Sequence, residues 1–248
     1  MLEWNGISVV LEKKRVLDGV SFRAEEGKIT VLMGRNGSGK STLLGCCFGT
    51  VPYSGRIYLC GEDIRRISPR IRARKLALFP QILPQTELTA FALVSLGRTP
   101  YTGSAGILSE ADRAEVVKAM KLVGADGYAD RTVSTLSGGE RQRVYLAMML
   151  AQGSSCLLLD EPSAFLDAGA RRELYGICRM LRDSGKTVVM VMHDINEAAA
   201  LADSIAVMDG GRLICSGTAE QVLSSDIPKR IYGLERYTAV EDGRTFFL

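Results

Sequence analysis

The most informative stretch of the sequence reads Val31-Leu32-Met33-Gly34-Arg35-Asn36-Gly37-Ser38-Gly39-Lys40-Ser41-Thr42-Leu43-Leu44. Its apolar start predicts a buried strand, its glycines a turn, and its end the first turn of a helix. It matches the pattern G-x-x-x-x-G-K-[ST] at every fixed position. Glycines let backbone N–H groups converge on phosphate oxygens without side chains in the way. The sequence therefore predicts a phosphate-binding loop made by Gly34, Arg35, Asn36, Gly37, Ser38, Gly39, Lys40, Ser41 and Thr42.

The side chains at the end of this loop indicate its ligand. Lys40 would reach the β- and γ-phosphates of a nucleotide, and the Ser41 hydroxyl would coordinate Mg²⁺. The expected ligand is therefore a nucleoside triphosphate with magnesium, and the plain alternative is a glycine-rich turn that binds nothing. The dinucleotide-binding pattern G-x-G-x-x-G does not fit, because the third position after Gly39 is Thr42.

Length, composition and charge set outer limits on the class of protein. The 248 residues, 46% hydrophobic and 24% charged, allow one large α/β domain, with or without a small subdomain. A net charge of +3 is too small to indicate nucleic acid as a partner. No apolar run approaches the ~18 residues of a membrane span, so we expect a cytosolic chain or one attached to a membrane through a partner. The cysteines lack C-x-x-C spacing and are predicted to be reduced core residues: Cys46, Cys47, Cys60, Cys156, Cys178 and Cys215.

The order of predicted elements indicates an α/β fold. Three short strands before the phosphate loop predict an N-terminal antiparallel β subdomain, and residues 87–130 look mainly helical. From Ser154 onward, strands and helices alternate, which is typical of a mostly parallel sheet. We therefore predict a P-loop nucleoside triphosphatase core with an inserted helical subdomain. The core and β subdomain would take residues 1–86 and 154–248, and the helical subdomain about 87–153.

Basic side chains crowd the segment from Ile64 to Lys75, where six residues are Arg or Lys. No aromatic residues interleave with them. The pattern is more typical of a solvated face than of a surface for anionic lipid or nucleic acid, and the second alternative stays open.

A second chemical stretch is the apolar run Cys156 to Leu159, which ends in Asp160 and Glu161. Ligands of parallel α/β sheets bind at the carboxyl ends of the strands, so these acids are expected beside the phosphate loop. Neighbouring residues in an extended chain point to opposite sides, which gives the two carboxylates different tasks. Asp160 suits the magnesium ion, and Glu161 suits a hydrolytic water as general base. The alternative is a pair of acids that merely ends a strand in solvent.

Two further sites complete the set of candidates. Ser137, Gly138, Gly139 and Glu140 open a predicted helix, and Ser137 with Glu140 could form a capping box. Paired glycines cost about 1 kcal/mol each against alanine in a helix, so they make most sense if a ligand oxygen approaches the bare backbone. The one histidine, His193, follows an apolar strand and could hydrogen-bond a γ-phosphate.

Together with Gln81 and Asp167, these motifs resemble an ATP-binding cassette (ABC) ATPase subunit over nearly the whole chain. The resemblance implies that two subunits clamp two ATP molecules, each between the phosphate loop of one chain and residues 137–140 of the other. It implies a homodimer or a paired paralogue. It also implies that Gln81 senses the γ-phosphate and Mg²⁺, that Asp167 links the two sites, and that His193 is a switch on the γ-phosphate.

Within this family, the chain is most similar to ATPases of iron-chelate (siderophore or haem) and cobalamin importers. The stretches that carry this likeness are Leu96 to Tyr101, Glu161 to Asp167, and Arg230 to Gly233. It implies an integral membrane permease as partner, an extracytoplasmic substrate-binding protein indirectly, and a peripheral position at the cytoplasmic face of the membrane. Residues 87–130 and the loop around Gln81 would dock the permease. Many members stack an aromatic side chain on adenine, and Leu11 occupies that place here.

Other classes of protein fit less well. A GTPase switch would need an N-K-x-D motif, which the sequence lacks. A sensor without catalysis would be expected to lack Glu161 or His193. The alternatives that remain are an ABC transporter of another solute, an exporter, or a soluble ABC ATPase that serves no transporter.

Overall fold

The computed structural model describes residues 1–103, 106–164, 166–238 and 245–248, and the chain divides into two compact units. The first unit takes residues 1–66 and 181–248, and the second takes residues 67–180. The strands are β1 (Leu2–Leu11), β2 (Lys14–Ala24), β3 (Ile29–Gly34), β4 (Ser54–Leu59), β5 (Glu62–Asp63), β6 (Leu76–Phe79), β7 (Cys156–Asp160), β8 (Thr187–Val191), β9 (Ser204–Asp209), β10 (Arg212–Thr218), β11 (Arg236–Thr238) and β12 (Thr245–Phe247).

The α-helices are α1 (Lys40–Cys46), α2 (Pro69–Lys75), α3 (Ala90–Leu96), α4 (Glu110–Leu122), α5 (Gly138–Ala151), α6 (Ala168–Asp183), α7 (Ile195–Leu201) and α8 (Ala219–Leu223). Shorter helical turns span Asp126–Tyr128, Val133–Thr135 and Pro228–Tyr232. Within the described residues, no helix is long and apolar enough to cross a membrane.

Among the described residues, the first unit contains two larger sheets and the antiparallel strand pair β11-β12. In one, β3 pairs in parallel with both β8 and β9, and β10 pairs antiparallel with β9. Every residue of β3 and β8 is buried, as expected for strands covered on both faces. The other sheet is antiparallel, in the order β2-β1-β4-β5. The rings of Trp4 and Phe22 stack across β1 and β2 with centroids 4.4 Å apart. The predicted α/β fold with an antiparallel β sheet near its N-terminus is confirmed.

The second unit combines a parallel strand pair with helices. Strand β6 pairs in parallel with β7, whose five residues are all buried. Between residues 87 and 130 the described chain is helix, turn and loop, apart from an isolated bridge between Thr89 and Thr132. Helix α4 begins with a capping box, in which the Ser109 and Asp112 side chains each accept from the other residue's backbone N–H.

One sequence-based expectation about side chains needs correction. None of the cysteines forms a disulfide, and Cys46, Cys47, Cys156 and Cys178 are buried as predicted, but Cys60 is exposed and Cys215 half-buried, so these two are not core residues. Cys60 lies in the turn between β4 and β5 with φ 52°, which takes it out of the alternating pattern of β4. The basic segment does contain exposed arginines, as a solvated face would, and two of them, Arg70 and Arg74, each donate from Nε to the Pro100 carbonyl at 2.9 Å.

Candidate nucleotide site

The phosphate loop lies in the first unit, between buried strand β3 and helix α1. Gly34 ends β3 with φ 144°, and a Cβ at this position would overlap the Met208 carbonyl oxygen. Gly39 is the N-cap of α1 with φ 96°. As a glycine it offers no side-chain acceptor that would cap the first N–H groups of the helix. The loop therefore has the backbone path that phosphate binding needs, and it leads into a helix start without a side-chain cap.

Lys40 is buried inside this loop, with a relative exposure of 5%. Its Nζ donates to the Gly34 carbonyl at 2.8 Å and to the Arg35 carbonyl at 3.1 Å. An ammonium removed from water gains more from a phosphate oxygen than from neutral carbonyls. The side chain is therefore positioned to transfer its hydrogen bonds to an arriving nucleotide.

The hydroxyls of the loop differ in their surroundings. Ser38 is 3% exposed, and its Oγ has no hydrogen-bond partner among the residues that the structure describes. A buried hydroxyl without a partner costs free energy, so a ligand oxygen at this point would stabilise the loop. Ser41, Asn36 and Arg35 are exposed, and Thr42 is half-buried. The residues of the phosphate loop are thus accessible on one side and backed by the core on the other.

The strand-end acids lie in the second unit. Asp160 is the last residue of β7 and is 7% exposed, whereas Glu161 is half-buried. Glu161 has φ 49°, a left-handed conformation that is rare for a residue other than glycine. Such conformations cost about 1–3 kcal/mol and persist where the surroundings enforce them, often at functional sites. The left-handed turn at Glu161 thus follows directly on the buried Asp160, and the division of tasks between the two carboxylates stays a prediction.

Gln81 and Glu161 are brought together. Nε2 of Gln81, two residues after β6, donates to Oε2 of Glu161 at 2.9 Å. The amide oxygen of Gln81 then points away from the carboxylate and remains able to accept or to coordinate a cation. Gln142 of α5 donates to the Pro162 carbonyl, which fixes the backbone just beyond Glu161. These contacts hold the candidate base and the candidate sensor in one cluster.

The start of α5 forms the capping box expected from Ser137 and Glu140. Ser137 Oγ accepts from the Glu140 N–H at 3.3 Å, and Glu140 Oε2 accepts from the Ser137 N–H at 2.8 Å. The second carboxylate oxygen accepts from Nη1 of Arg131 at 2.9 Å. The pKa of Glu140 is lowered, first by the Ser137 backbone N–H and to a smaller extent by Arg131. The sequence analysis missed Arg131, since nothing in its local pattern marks it.

Gly138 and Gly139 contrast with Gly34 and Gly39 of the phosphate loop, where a Cβ would overlap neighbouring atoms. A Cβ at either position would meet no atom of the described chain within 4 Å. Gly139 and Glu140 also line an open pocket of about 490 Å³ together with Asp167. Asp167 Oδ1 accepts from the Ala170 N–H at 2.9 Å, and this backbone contact is the main reason that its pKa is lowered. Phe165, part of the predicted stretch before Asp167, lies outside the described residues.

His193 is exposed and lies between β8 and α7 in the first unit. The next residue, Asp194, is the N-cap of α7 and accepts from the N–H groups of Asn196 at 2.7 Å and Glu197 at 3.1 Å. The cap fixes the turn that presents the imidazole. The histidine therefore follows the end of a strand that pairs directly with β3, the strand that leads into the phosphate loop.

Leu11 ends β1 and is 38% exposed. The hairpin that follows has left-handed conformations at Glu12 and Lys13. Trp4 cannot substitute for an aromatic residue here, because it is 1% exposed and stacked on Phe22 in the core. An aliphatic side chain thus occupies the position at which the resemblance implies a stacking ring.

Comparisons with known proteins agree with these motifs. Residues 17–164 match the family model described as ABC transporter. The chain is 40% identical over 223 residues to the achromobactin transport ATP-binding protein CbrD of Dickeya dadantii (strain 3937), covering 89% of this chain and 83% of that protein. It is 37% identical over 234 residues to the iron(3+)-hydroxamate import ATP-binding protein FhuC of Bacillus subtilis (strain 168), covering 93% and 86%. A dimeric ATP-binding cassette, solved in a post-hydrolysis state with ADP and Pi, superposes with a TM-score of 0.80 at 26% identity, covering 88% of this chain and 99% of that chain.

The chain therefore belongs to the ABC transporter family. Its fold is that of an ATP-binding cassette, and its activity is ATP hydrolysis coupled to transport. The predictions of an ABC ATPase with a P-loop nucleoside triphosphatase fold are confirmed.

Proposed function

We propose that this chain powers a membrane importer of an iron chelate (a siderophore or haem complex) or of cobalamin, using ATP with Mg²⁺ in a dimer. The observation that carries the catalytic part is the hydrogen bond between Gln81 and the left-handed Glu161. The solute class is supported by the likeness to CbrD and FhuC, one named for achromobactin transport and the other for iron(3+)-hydroxamate import. We also keep the predicted division into a core, residues 1–86 and 154–248, and a helical subdomain, about 87–153, as part of the proposal.

In the proposed reaction, the nucleotide phosphates bind the loop of residues 34–42. Glu161 accepts a proton from water, and the resulting hydroxide attacks the γ-phosphorus in line with the departing ADP oxygen. Lys40 and the N–H groups at the start of α1 stabilise the charge that develops on the phosphate oxygens. His193 donates to the γ-phosphate and so distinguishes ATP from ADP. Each role follows from the residue type and from the local geometry of its own unit.

A magnesium ion fits the donor set that the chain offers. Ser41, Gln81 and Asp160 provide hydroxyl, amide and carboxylate oxygens, the ligands that Mg²⁺ prefers. Within the described residues there is no cluster of three or more His, Cys, Asp or Glu side chains that could hold a metal. Mg²⁺ commonly binds through one or two protein oxygens, substrate phosphates and waters, so a dedicated cage is not needed. The ion would neutralise phosphate charge when bound.

The start of α5 would act on the ATP of a partner subunit. The N–H groups of Gly138 and Gly139 and the Ser137 hydroxyl would bind the γ-phosphate from the other side, at the positive end of a helix. The open space beside both glycines supports this role, because a phosphate needs room there that the chain itself does not fill. Glu140 would hold the cap, and Asp167 would couple the two ATP sites of a homodimer or of a pair of paralogues.

Exposed apolar side chains of the second unit support a permease-docking surface. Ile82 is 80% exposed, Ile107 76%, Leu96 52% and Leu88 40%. The neighbouring Arg98 and Tyr101 instead bind the end of α5. Arg98 Nη1 donates to the Ala151 carbonyl at 2.7 Å, and the Tyr101 hydroxyl donates to the Gln152 carbonyl at 3.0 Å. The docked chain would lie at the cytoplasmic face of the membrane. An extracytoplasmic substrate-binding protein would act on it only through the permease.

Cysteine cross-linking in native membranes tests the docking surface. Thr99 is exposed and takes the probe, whereas Thr102 is 9% exposed and unsuitable. The background carries Cys60→Ser, because this cysteine is exposed. Thr99→Cys should cross-link to an integral membrane protein, and Glu26→Cys, 80% exposed in the first unit, should not. Cross-linking only from position 26 would contradict the assignment. Uptake of iron chelates or cobalamin that depends on the captured permease would support the solute class.

A further inference from the structure

The stretch Arg230 to Gly233 lies directly against the phosphate loop. Arg35 Nε, inside the loop, donates to the carbonyl of Ile231 at 3.0 Å, across 196 positions of sequence. Ile231 is 6% exposed, whereas Arg35 is exposed, so the hydrogen bond is part-buried at the edge of the core. One end of the C-terminal segment, which we define as residues 228–238 and 245–248, is therefore attached to the phosphate loop.

Tyr232 follows Ile231 at the same end, and its hydroxyl is buried without a hydrogen-bond partner among the described residues. Burial raises the pKa of Tyr232 to about 12. Gly233 follows with φ 73° and ends the helical turn. The chain then leaves the loop in an extended conformation.

The other end of the segment is attached to the helix that follows His193. Asn196 Nδ2 donates to the Phe247 carbonyl at 3.1 Å, and Asn196 Oδ1 accepts from the Phe247 N–H at 2.8 Å. The amide of Asn196 thus pairs with both the N–H and the carbonyl of Phe247, as a neighbouring β-strand would. Asn196 itself lies in the first turn of α7, which is capped by Asp194, next to His193.

Short backbone links join these two ends. Glu235 and Leu248 exchange hydrogen bonds, N–H to carbonyl, at 2.8 and 3.1 Å. Strands β11 and β12 continue this pairing, with Arg236 opposite Phe247. The path from Ile231 to Asn196 therefore runs through only a few residues and one strand pair.

We propose that the C-terminal segment positions His193 relative to the phosphate loop, with Arg35 and Asn196 as the positioning residues at its two ends. The proposal rests on the proposed roles of that loop and of His193. No residue of the segment needs to touch the nucleotide. Since the β-phosphate is held by the loop and the γ-phosphate also by His193, a displaced histidine lowers affinity for ATP more than for ADP. The segment thus sets the preference for ATP over ADP.

Titrations with ATP and ADP, each with Mg²⁺, test this in a Glu161→Gln background that prevents turnover. Arg35→Ala and Asn196→Ala should each lower the ATP-over-ADP preference about tenfold, or about 1.4 kcal/mol. The matched control is Lys229→Ala, in the same segment, because this lysine is 71% exposed and pairs with Glu235. It should keep the preference of the parent. Thermal unfolding of each variant checks the folded fraction. A loss of folded protein alone lowers the apparent affinity for ATP and for ADP equally and leaves the preference unchanged.

The double variant gives the sharper result. If the segment acts as one connection between its two ends, the double variant Arg35→Ala/Asn196→Ala should lower the ATP-over-ADP preference no further than either single variant. An additive loss of about a hundredfold would mean two independent local effects and would overturn the proposal. Unchanged preferences in both single variants would overturn it too. A parent that binds no ATP would instead overturn the proposed function, and this inference with it. Asn196→Asp, which keeps the acceptor for the Phe247 N–H, should give an intermediate loss.

Discussion

The phosphate loop and the start of α5 both depend on glycines, but for different physical reasons. At Gly34 the chain itself demands glycine, because φ is 144° and a Cβ would overlap the Met208 carbonyl. At Gly138 and Gly139 an added Cβ would meet no atom of the described chain within 4 Å. Packing therefore explains the first glycine, whereas the described chain gives no packing reason for the second pair. On the proposed function, the second pair instead leaves room for a phosphate of the partner subunit's ATP.

The largest expected effect is the loss of ATP binding when Lys40 of the phosphate loop is replaced. Lys40→Ala should abolish ATP binding, because it removes the buried ammonium that now bridges the carbonyls of Gly34 and Arg35. Nucleotide titration by calorimetry is the measurement. Lys28→Ala, which removes an exposed lysine of the same unit, is the control and should bind like wild type. Equal ATP affinity in Lys40→Ala and wild type would remove this lysine from the site.

The next effect concerns turnover. Glu161→Gln keeps an oxygen that can accept from Gln81 but removes the base, so kcat should fall by ~10²-fold or more while ATP binding stays intact. Steady-state phosphate release gives kcat. Glu115→Gln, an exposed glutamate of α4, should leave kcat unchanged. Wild-type turnover in Glu161→Gln would show that another group takes the proton.

Substitution by alanine should affect stability at Gly34 and ATPase activity at Gly139. Gly34→Ala should destabilise the fold by about 1–3 kcal/mol, because strain and overlap act in the native state. Gly139→Ala should leave stability unchanged or raise it by up to about 1 kcal/mol, since alanine favours helix, and yet should lose ATPase activity. Thermal unfolding without nucleotide, followed by ATPase assays, separates the two. Full activity in Gly139→Ala would mean that its open space has no ligand.

The smallest effect is on base selection at Leu11. An aromatic ring stacked on a base contributes about 1–3 kcal/mol, and leucine retains only part of that. GTP should therefore be hydrolysed within about tenfold of ATP, a difference under ~1.4 kcal/mol. Leu11→Tyr should tighten ATP binding more than it changes kcat, because stacking is equal in ground and transition states. Competition kinetics with both nucleotides measure this. A preference for ATP of about a hundredfold or more in wild type, about 2.7 kcal/mol, would place adenine recognition elsewhere.

Local patterns in the sequence predicted the parts of the site whose geometry is local. The phosphate loop, the buried strand before Asp160 and the capping box of Ser137 with Glu140 each depend on residues within a few positions of one another. The left-handed turn at Glu161 was beyond reach, since a residue before proline ordinarily favours extended backbone.

Contacts between distant parts of the sequence were beyond reach as well. The hydrogen bond from Arg35 to Ile231 spans 196 positions, and no periodicity reports it. The stretch from Leu96 to Tyr101 was interpreted only as a docking motif, although Arg98 and Tyr101 serve as anchors. Arg98 binds Asp112, and its guanidinium lies 3.9 Å from the Tyr101 ring centroid. Side-chain roles of this kind depend on tertiary packing.

On the proposed function, the start of α5 completes the ATP site of another subunit. Analytical ultracentrifugation of Glu161→Gln, with and without Gly139→Ala, measures whether it does. We expect a dimer with ATP and a monomer with ADP for Glu161→Gln, and a monomer with both nucleotides once Gly139→Ala is added, with thermal stability unchanged or raised. A dimer that forms with ATP in spite of Gly139→Ala, or a Glu161→Gln monomer that binds ATP without dimerising, would contradict it.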